Sequence, residues 1–229
     1  MSQLFQPLLP ADFKPMDVFI RAYEHAAGNF NTLLTALQQH LVLVLVPLAI
    51  GLAVGLPLGL WSARSRTAAT VLINGFNGLR VIPSLVVLFV FVSVPYFGLN
   101  VRSAIVALTL LVMPPILINT DVAFRSIDPM IREAAYGMGM SKRQVLRSIE
   151  VPLALPVVIT GIKIATIEVI ASATLAAFIG AGGLGRFIVL GFAQYDPAIL
   201  LVGAIPVALL AVLAEIVLGQ LQQAVQPPQ

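Results

Sequence analysis

Residues 125–152 read RSIDPMIREAAYGMGMSKRQVLRSIEVP and form the longest polar stretch between the apolar segments of the chain. Asp128 followed by Pro129 predicts a helix start, because an aspartate side chain caps free amides and proline suits the first helical position. Gly139 permits a turn that residues with a Cβ resist, and Ser141 with Gln144 has the spacing of a capping box. The stretch is therefore predicted to be a helix-turn-helix that docks on another protein, with an ordinary connecting loop as the alternative.

Apolar segments of membrane-spanning length lie on both sides of this stretch. A spanning helix needs roughly 20 mostly apolar residues, since unpaired backbone amides in lipid cost several kcal/mol and a helix pairs its own. Five segments qualify, at about residues 41–61, 71–94, 103–122, 155–178 and 198–220, and Pro152 leads into the fourth. The sequence predicts an all-α integral membrane protein with about five transmembrane helices over residues 41–220.

The amino-acid composition is that of a chain surrounded by lipid. Hydrophobic residues make up 59% and charged residues 10%, the mean hydropathy is +0.99, and a soluble domain would carry about 25% charged residues. The 13 Lys and Arg outnumber the 10 Asp and Glu, but they form no continuous basic face of the kind that binds nucleic acid. We therefore expect the lipid bilayer, and no nucleic acid, as a partner.

Side chains that carry chemistry are scarce. The chain has no cysteine and two histidines, His25 and His40, so no thiolate, disulfide or clustered metal ligands are expected. It also lacks the G-x-x-x-x-G-K-[ST] phosphate loop that would bind ATP. We predict no catalytic residue, no cofactor and no metal site in this chain.

Basic residues predict the orientation, because Lys and Arg near helix ends are retained on the cytoplasmic side. Arg64 and Arg66 follow the first segment and five Lys and Arg lie within 125–152, whereas the opposite loops offer Arg102 and Arg186. The N-terminus is therefore predicted outside and the tail 221–229 in the cytoplasm. The mixed pattern of residues 1–40 fits an interfacial amphipathic helix or a partly ordered extracytoplasmic tail equally well.

The polar stretch also resembles a known motif. It contains Glu133-Ala134-Ala135, three residues, Gly139, nine residues, and then Ile149-Glu150-Val151-Pro152. This pattern resembles the EAA loop of ABC importer permeases, written EAA, x3, G, x9, I-x-L-P, and departs from it only at Val151. The motif precedes the penultimate span, as in that family. The chain is thus similar to permeases of the type I ABC importer architecture.

The resemblance implies partners and residue roles. In the family the EAA loop docks into a cleft of the ATPase, so the residues expected to couple to two ATPase copies are Glu133, Ala134, Ala135, Gly139, Ser141, Ile149 and Pro152. ATP and Mg would bind that ATPase, and this chain would not be an enzyme. A second permease copy or a paralogue and an extracytoplasmic solute-binding protein would complete the importer in the prokaryotic inner membrane.

Segments outside the loop narrow the expected substrate. Residues 80–85, 125–129 and 173–185 resemble permeases of the osmoprotectant branch, which import glycine betaine, carnitine, choline and related quaternary amines. Methionine permeases share the Gly-Ala-Gly-Gly-Leu-Gly stretch at 180–185, so methionine, ergothioneine or another amino-acid-like solute is the alternative. Residues 1–40 lie outside the resemblance.

The glycines of residues 180–185 also satisfy G-x-G-x-x-G, a phosphate-binding pattern. That pattern binds dinucleotides when it joins a strand to a helix, and here an apolar helix precedes it. We instead predict a turn at the outer mouth of the pathway, a gate or a contact for the binding protein, formed by Gly180, Gly182, Gly183, Gly185 and Arg186. Close packing of helices is the alternative.

Glu168 lies near the middle of the fourth apolar segment, where a charge costs at least about 2.5–3.5 kcal/mol to insert. We expect it to face the central pathway of a permease dimer, together with Ser172 and Thr174. The alternative is a structural contact with Lys163 or with a hydroxyl on a neighbouring helix.

Two other classes of protein fit the sequence less well. An ion-driven secondary transporter could use Glu168 in a relay, but its usual inverted repeat is absent and the EAA loop would have no role. An intramembrane enzyme would need a histidine or an Asp/Lys constellation facing a Ser or Thr, and none is evident.

Overall fold

The computed structural model describes residues 15–96 and 98–226; residues 1–14 of the N-terminal segment and 227–229 of the tail lie outside the described residues. The described part is almost entirely helical. Its ten α-helices are α1 (Pro15–Gly28), α2 (Phe30–Arg64), α3 (Arg66–Val81), α4 (Ser84–Ser93), α5 (Val101–Arg125), α6 (Pro129–Gly137), α7 (Lys142–Val145), α8 (Val151–Leu175), α9 (Gly185–Ala193) and α10 (Pro197–Ala224). A π-helical turn (Leu146–Glu150) joins α7 to α8, and a 3-10 turn (Ala176–Ile179) follows α8.

Four helical stretches of the described part are long and apolar enough to cross a membrane: α2, α5, α10 and the run Lys142–Ile179. The pair α3 and α4 makes a fifth span if the two helices are counted together. The predicted all-α membrane fold with about five spans is confirmed. We call the end of the bundle that carries residues 125–152 the loop face.

The second predicted span, residues 71–94, is wrong as a single straight helix. The chain bends by 98° between α3 and α4, and Ile82 at the bend has an extended backbone (φ −78°, ψ 124°). Pro83 is the cause, because proline lacks an N–H and its ring disfavours helical geometry at the residue before it. Arg80 consequently lies next to a bend instead of inside a straight helix.

The first span is longer than the sequence suggested. Its helix α2 begins at Phe30 and not at residue 41, so the expected boundary at residue 40 falls inside it. Residues 15–28 form the helix α1, whose Val18 and Ala22 are buried against the start of α10. Arg21 on α1 also forms a salt bridge with Asp196, which caps α10.

The fourth span begins earlier than predicted, because Pro152 does not separate it from the second loop helix. One helical run extends from Lys142 to Ile179. The Val151 amide donates to the Leu146 carbonyl oxygen, five residues back, just before Pro152. Such a widened turn relieves the clash between the proline ring and the preceding turn. Helices α7 and α8 are therefore joined without a break.

Helix α5 forms the centre of the bundle, with Leu108 and Val112 fully buried. Gly51, Gly55 and Gly59, one helical turn apart on α2, line its contact with α5. A Cβ on Gly59 would lie 2.5 Å from the Thr120 Cβ atom. Small residues thus let the two backbones approach closely, as is common between membrane helices.

Candidate functional site

The polar stretch folds into the predicted helix-turn-helix. The Asp128 carboxylate accepts a hydrogen bond from the Met130 amide at 2.8 Å, and Pro129 occupies the first turn of α6. Gly139 has a φ of +82°, the left-handed region that favours glycine. Ser141 and Gln144 form a complete capping box at the start of α7. The predicted helix caps and the predicted turn are confirmed at every one of these positions.

The residues predicted for ATPase coupling differ in their exposure. Glu133, Ala134, Gly139, Ser141 and Pro152 are exposed, Ile149 is half-buried and Ala135 is buried. The sequence reasoning gave no role to Met130 and Tyr136, whose side chains are 73% and 46% exposed on α6, beside Met138 at 74%. Helix α6 thus presents an acidic residue and an apolar face to the outside, which is the composition of a docking helix.

Behind this helix lies a partly buried ion cluster, centred on a buried carboxylate, that the sequence reasoning missed. The Arg132 Nε atom on α6 donates to Glu150 Oε1 at 2.6 Å, and the Arg64 Nη2 atom at the end of α2 donates to Glu150 Oε2 at 2.9 Å. Arg132 also donates to the Phe124 carbonyl oxygen at 2.5 Å. Glu150 is buried just before α8, so its carboxylate joins α6 to α2 and α8, and Arg132 adds the link to α5.

A second polar cluster joins α2 and α5 at the same face. The Ser62 hydroxyl donates to Asp121 Oδ1 at 2.7 Å, and the Arg125 Nη2 atom donates to the same oxygen at 2.7 Å. Arg125 also donates to the Ser62 carbonyl oxygen at 2.9 Å. Asp121 and Arg125 are four residues apart on a helix, and this spacing in the sequence could have indicated the pair.

A cavity of about 330 Å³ lies on the inner side of the α3–α4 bend. Its lining includes Leu111 and Pro114, near the middle of α5, and therefore lies near mid-membrane. Arg80, Ser84, Glu168 and Ser172 line it as well. Arg80, which lies near the end of α3 and precedes the bend, thus shares a cavity with the mid-span Glu168.

The predicted pathway residues do not all lie together. Glu168 and Ser172 line this cavity, whereas Thr174 is outside its lining and donates from its hydroxyl to the Ala171 carbonyl oxygen at 2.7 Å. Of the two structural contacts considered for Glu168, the one with a hydroxyl on a neighbouring helix is not formed within the described residues, and the one with Lys163 is not formed either. Lys163 instead pairs with Glu215 on α10, with 2.9 Å between Nζ and Oε1.

The glycine-rich turn closes the opposite end of the bundle. Gly180, Gly182 and Gly183 have φ values of +75°, +80° and +79°. The Gly183 amide donates to Gln39 Oε1 on α2 at 3.1 Å, and a Cβ on Gly185 would collide with the Thr174 backbone. Gly180 and Arg186 are exposed, whereas Gly183 and Gly185 are buried. The segment is therefore both a turn and a close packing contact.

Within the described residues, no group of three or more His, Cys, Asp or Glu side chains could hold a metal ion. Instead, charged side chains of the described residues form the two clusters at the loop face and line the cavity. This arrangement fits a protein that moves a solute past fixed side chains.

Comparison with known families assigns the class. Residues 55–227 match the family described as binding-protein-dependent transport system inner membrane component. This chain belongs to that family, the membrane permeases of ABC importers, and is a multi-pass membrane transport subunit.

The relatives specify the branch. The chain is 38% identical to the carnitine transport permease protein OpuCB of Listeria monocytogenes, over 93% of this chain and 95% of the relative. It is 36% identical to the glycine betaine/carnitine/choline transport system permease protein OpuCB of Bacillus subtilis (strain 168), over 87% and 91%. The resemblance to the osmoprotectant branch is confirmed.

Solved structures confirm the fold. An inward-facing MetNI methionine ABC transporter matches with a TM-score of 0.73 at 23% identity, over 86% of this chain and 98% of that chain. An amino acid ABC transporter with histidines matches with a TM-score of 0.67 at 18% identity, over 90% and 96%.

Proposed function

We propose that this chain imports a quaternary amine osmoprotectant, such as glycine betaine, carnitine or choline, by alternating access driven by a separate ATPase. The substrate class rests on the names of relatives that match nearly the whole chain. Likeness to a methionine transporter supports the fold alone, so methionine and other amino-acid-like solutes are the weaker alternative.

The contact of α6 with the spans is the observation that carries the mechanism. Arg132 anchors α6 to Glu150, and Glu150 is anchored to Arg64. An ATPase that holds Glu133, Ala134 and Met130 of α6 would therefore pull on α2 and α8 at once. It would also pull on α5, because Arg132 donates to the Phe124 carbonyl oxygen. Two ATPase copies, which bind ATP and Mg, would drive a dimer of this chain with itself or with a paralogue.

The remaining assignments follow from this arrangement. The loop face is proposed as the cytoplasmic side, with α1 and the glycine-rich turn outside and residues 221–229 inside. Gly180 and Arg186, which are exposed, would contact the solute-binding protein, while Gly182, Gly183 and Gly185 hold the turn against α2 and α8. Glu168 and Ser172 would line the pathway, and Thr174 would lie beside it.

Reconstitution tests this function. The chain, its ATPase and its binding protein are placed in proteoliposomes, and uptake of radiolabelled glycine betaine is measured with ATP and with a non-hydrolysable analogue. We expect uptake with ATP alone, unchanged by ionophores that collapse proton and sodium gradients. Uptake that needs an ion gradient and not ATP would contradict the proposal and favour a secondary transporter.

A further inference from the structure

The cavity at the α3–α4 bend is lined by four polar side chains, those of Arg80, Ser84, Glu168 and Ser172. None of these side chains forms a hydrogen bond or a salt bridge with another residue in the described ranges. Arg80 is exposed, and Ser84 and Glu168 are half-buried. Ser172 is only 8% exposed. Polar groups at this depth are costly unless paired, so water or a ligand must satisfy them.

Four other cavities of similar size differ in character. Three are lined almost entirely by apolar residues, and in the fourth, of about 290 Å³, the charges of Arg64, Arg132 and Glu150 already pair with one another. Two of the three apolar cavities, of about 370 and 470 Å³, are lined by apolar residues and a threonine each. The cavity at the α3–α4 bend is instead bordered by one positive and one negative side chain. Charges are retained at mid-membrane where they serve a site.

We propose that this cavity is a binding site for a zwitterionic quaternary amine during its passage, with the carboxylate of the solute on Arg80 and its trimethylammonium group toward Glu168. The guanidinium can donate paired hydrogen bonds to a carboxylate. A trimethylammonium group has no N–H to donate, so Glu168 attracts it by charge alone. Ser172 and Ser84 supply hydroxyls for the carboxylate or for accompanying water.

This inference rests on the proposed function and adds a selectivity rule to it. A zwitterion such as glycine betaine uses both charges of the cavity, whereas the cation choline uses Glu168 and is repelled by Arg80. The permease itself would therefore favour zwitterions over cations, independently of the separate binding protein.

Direct binding to the purified permease–ATPase complex, without the binding protein, tests the site. The probes are radiolabelled glycine betaine and radiolabelled choline. Arg80→Gln should weaken glycine betaine binding about tenfold or more, the effect of a lost charge-assisted hydrogen bond, and leave choline binding unchanged or tighter. Glu168→Gln should weaken both, and choline more. Arg80→Lys, which keeps the charge, should retain part of the glycine betaine binding.

Glu215→Gln is the matched control, since it removes a carboxylate that pairs with Lys163 outside the cavity; it should change neither affinity. The inference is overturned if the wild-type complex binds neither probe, or if Arg80→Gln affects both probes equally. The same preparations, supplied with the binding protein, are assayed for ATP-driven uptake. If uptake is normal but the wild-type complex binds neither probe, or Arg80→Gln affects both probes equally, the binding site alone is refuted. If the wild-type complex shows no uptake, the proposed function is refuted, and this inference with it.

Discussion

Arg132 and Glu150, on either side of the turn at Gly139, meet through a 2.6 Å hydrogen bond between Nε and Oε1. This bond joins α6 to the start of the fourth span, so the two ends of the loop are held together. Because Glu150 also pairs with Arg64, the base of the loop is fixed to α2 as well as to α8.

Glu150→Gln should therefore destabilise the protein and impair transport. Breaking a buried ion pair costs about 3–5 kcal/mol, and exposure of the arginines reduces this to roughly 1–3 kcal/mol. We expect a lower Tm of the detergent-purified protein and less uptake for each ATP hydrolysed.

Glu215→Gln serves as the control for this substitution. Glu215 pairs with Lys163, and its side chain is 51% exposed. Glu215 forms one ion pair in the described residues whereas Glu150 forms two, so Glu215→Gln should lower the Tm less than Glu150→Gln. Equal Tm shifts in the two variants would show that the Glu150 cluster has no special role.

Local signals explain what the sequence could predict of this loop. Asp128, Gly139 and Ser141 each act within a few residues of their own position, so their caps and turn could be read from spacing. The three members of the Glu150 cluster come from α2, α6 and the foot of α8. Nothing in the sequence states how distant helices are aligned, so this cluster could not be predicted.

The bend at Pro83 shows a similar limit. Prolines also lie inside α2 and α5, at Pro47 and Pro114, and those helices continue through them. Whether a membrane helix breaks at proline depends on neighbours that satisfy the freed carbonyl groups. The cavity lined by Arg80 and Glu168 depends on this bend. The sequence could therefore suggest Glu168 as a pathway residue, but it could not predict that Arg80 lies beside it.

The glycines of the outer turn should respond differently to alanine. Gly185→Ala brings a Cβ into the Thr174 backbone and should prevent stable folding, whereas Gly180 has open space and only its positive φ opposes a side chain. Gly180→Ala should cost about 1–2 kcal/mol and still fold. Expression level and Tm in detergent measure both.

Gly219→Ala provides the reference for these two, since Gly219 lies in α10 with nothing within 4 Å of an added Cβ. It should stabilise the helix by roughly 0.5–1 kcal/mol. If Gly185→Ala proved as stable as this reference, the close contact with Thr174 would be refuted.

Single cysteines test the orientation, because the chain has no cysteine of its own. Arg143 is exposed on α7 and leaves the capping box intact, and Arg186 is exposed at the opposite end. In intact cells an impermeant maleimide should label Arg186→Cys and not Arg143→Cys, and permeabilisation should expose both. The reverse pattern would invert the proposed topology.

Gly139→Val should uncouple ATP hydrolysis from transport. An added Cβ at Gly139 meets no atom within 4 Å, so strain comes from its φ of +82°, at about 1–2 kcal/mol or more for a branched residue. The turn would rearrange and move α6 relative to α7, while the spans stay folded. Gly137→Val is the matched control, because Gly137 has equally open space and no positive φ.

Glycine betaine transported per ATP hydrolysed, in proteoliposomes containing the ATPase and the binding protein, tests most directly whether this loop couples the two subunits. Gly139→Val is expected to abolish uptake and the ATPase stimulation by loaded binding protein, with a Tm close to that of Gly137→Val and with uptake retained in Gly137→Val. Normal uptake and normal ATPase stimulation in Gly139→Val would contradict the role of residues 125–152 in coupling.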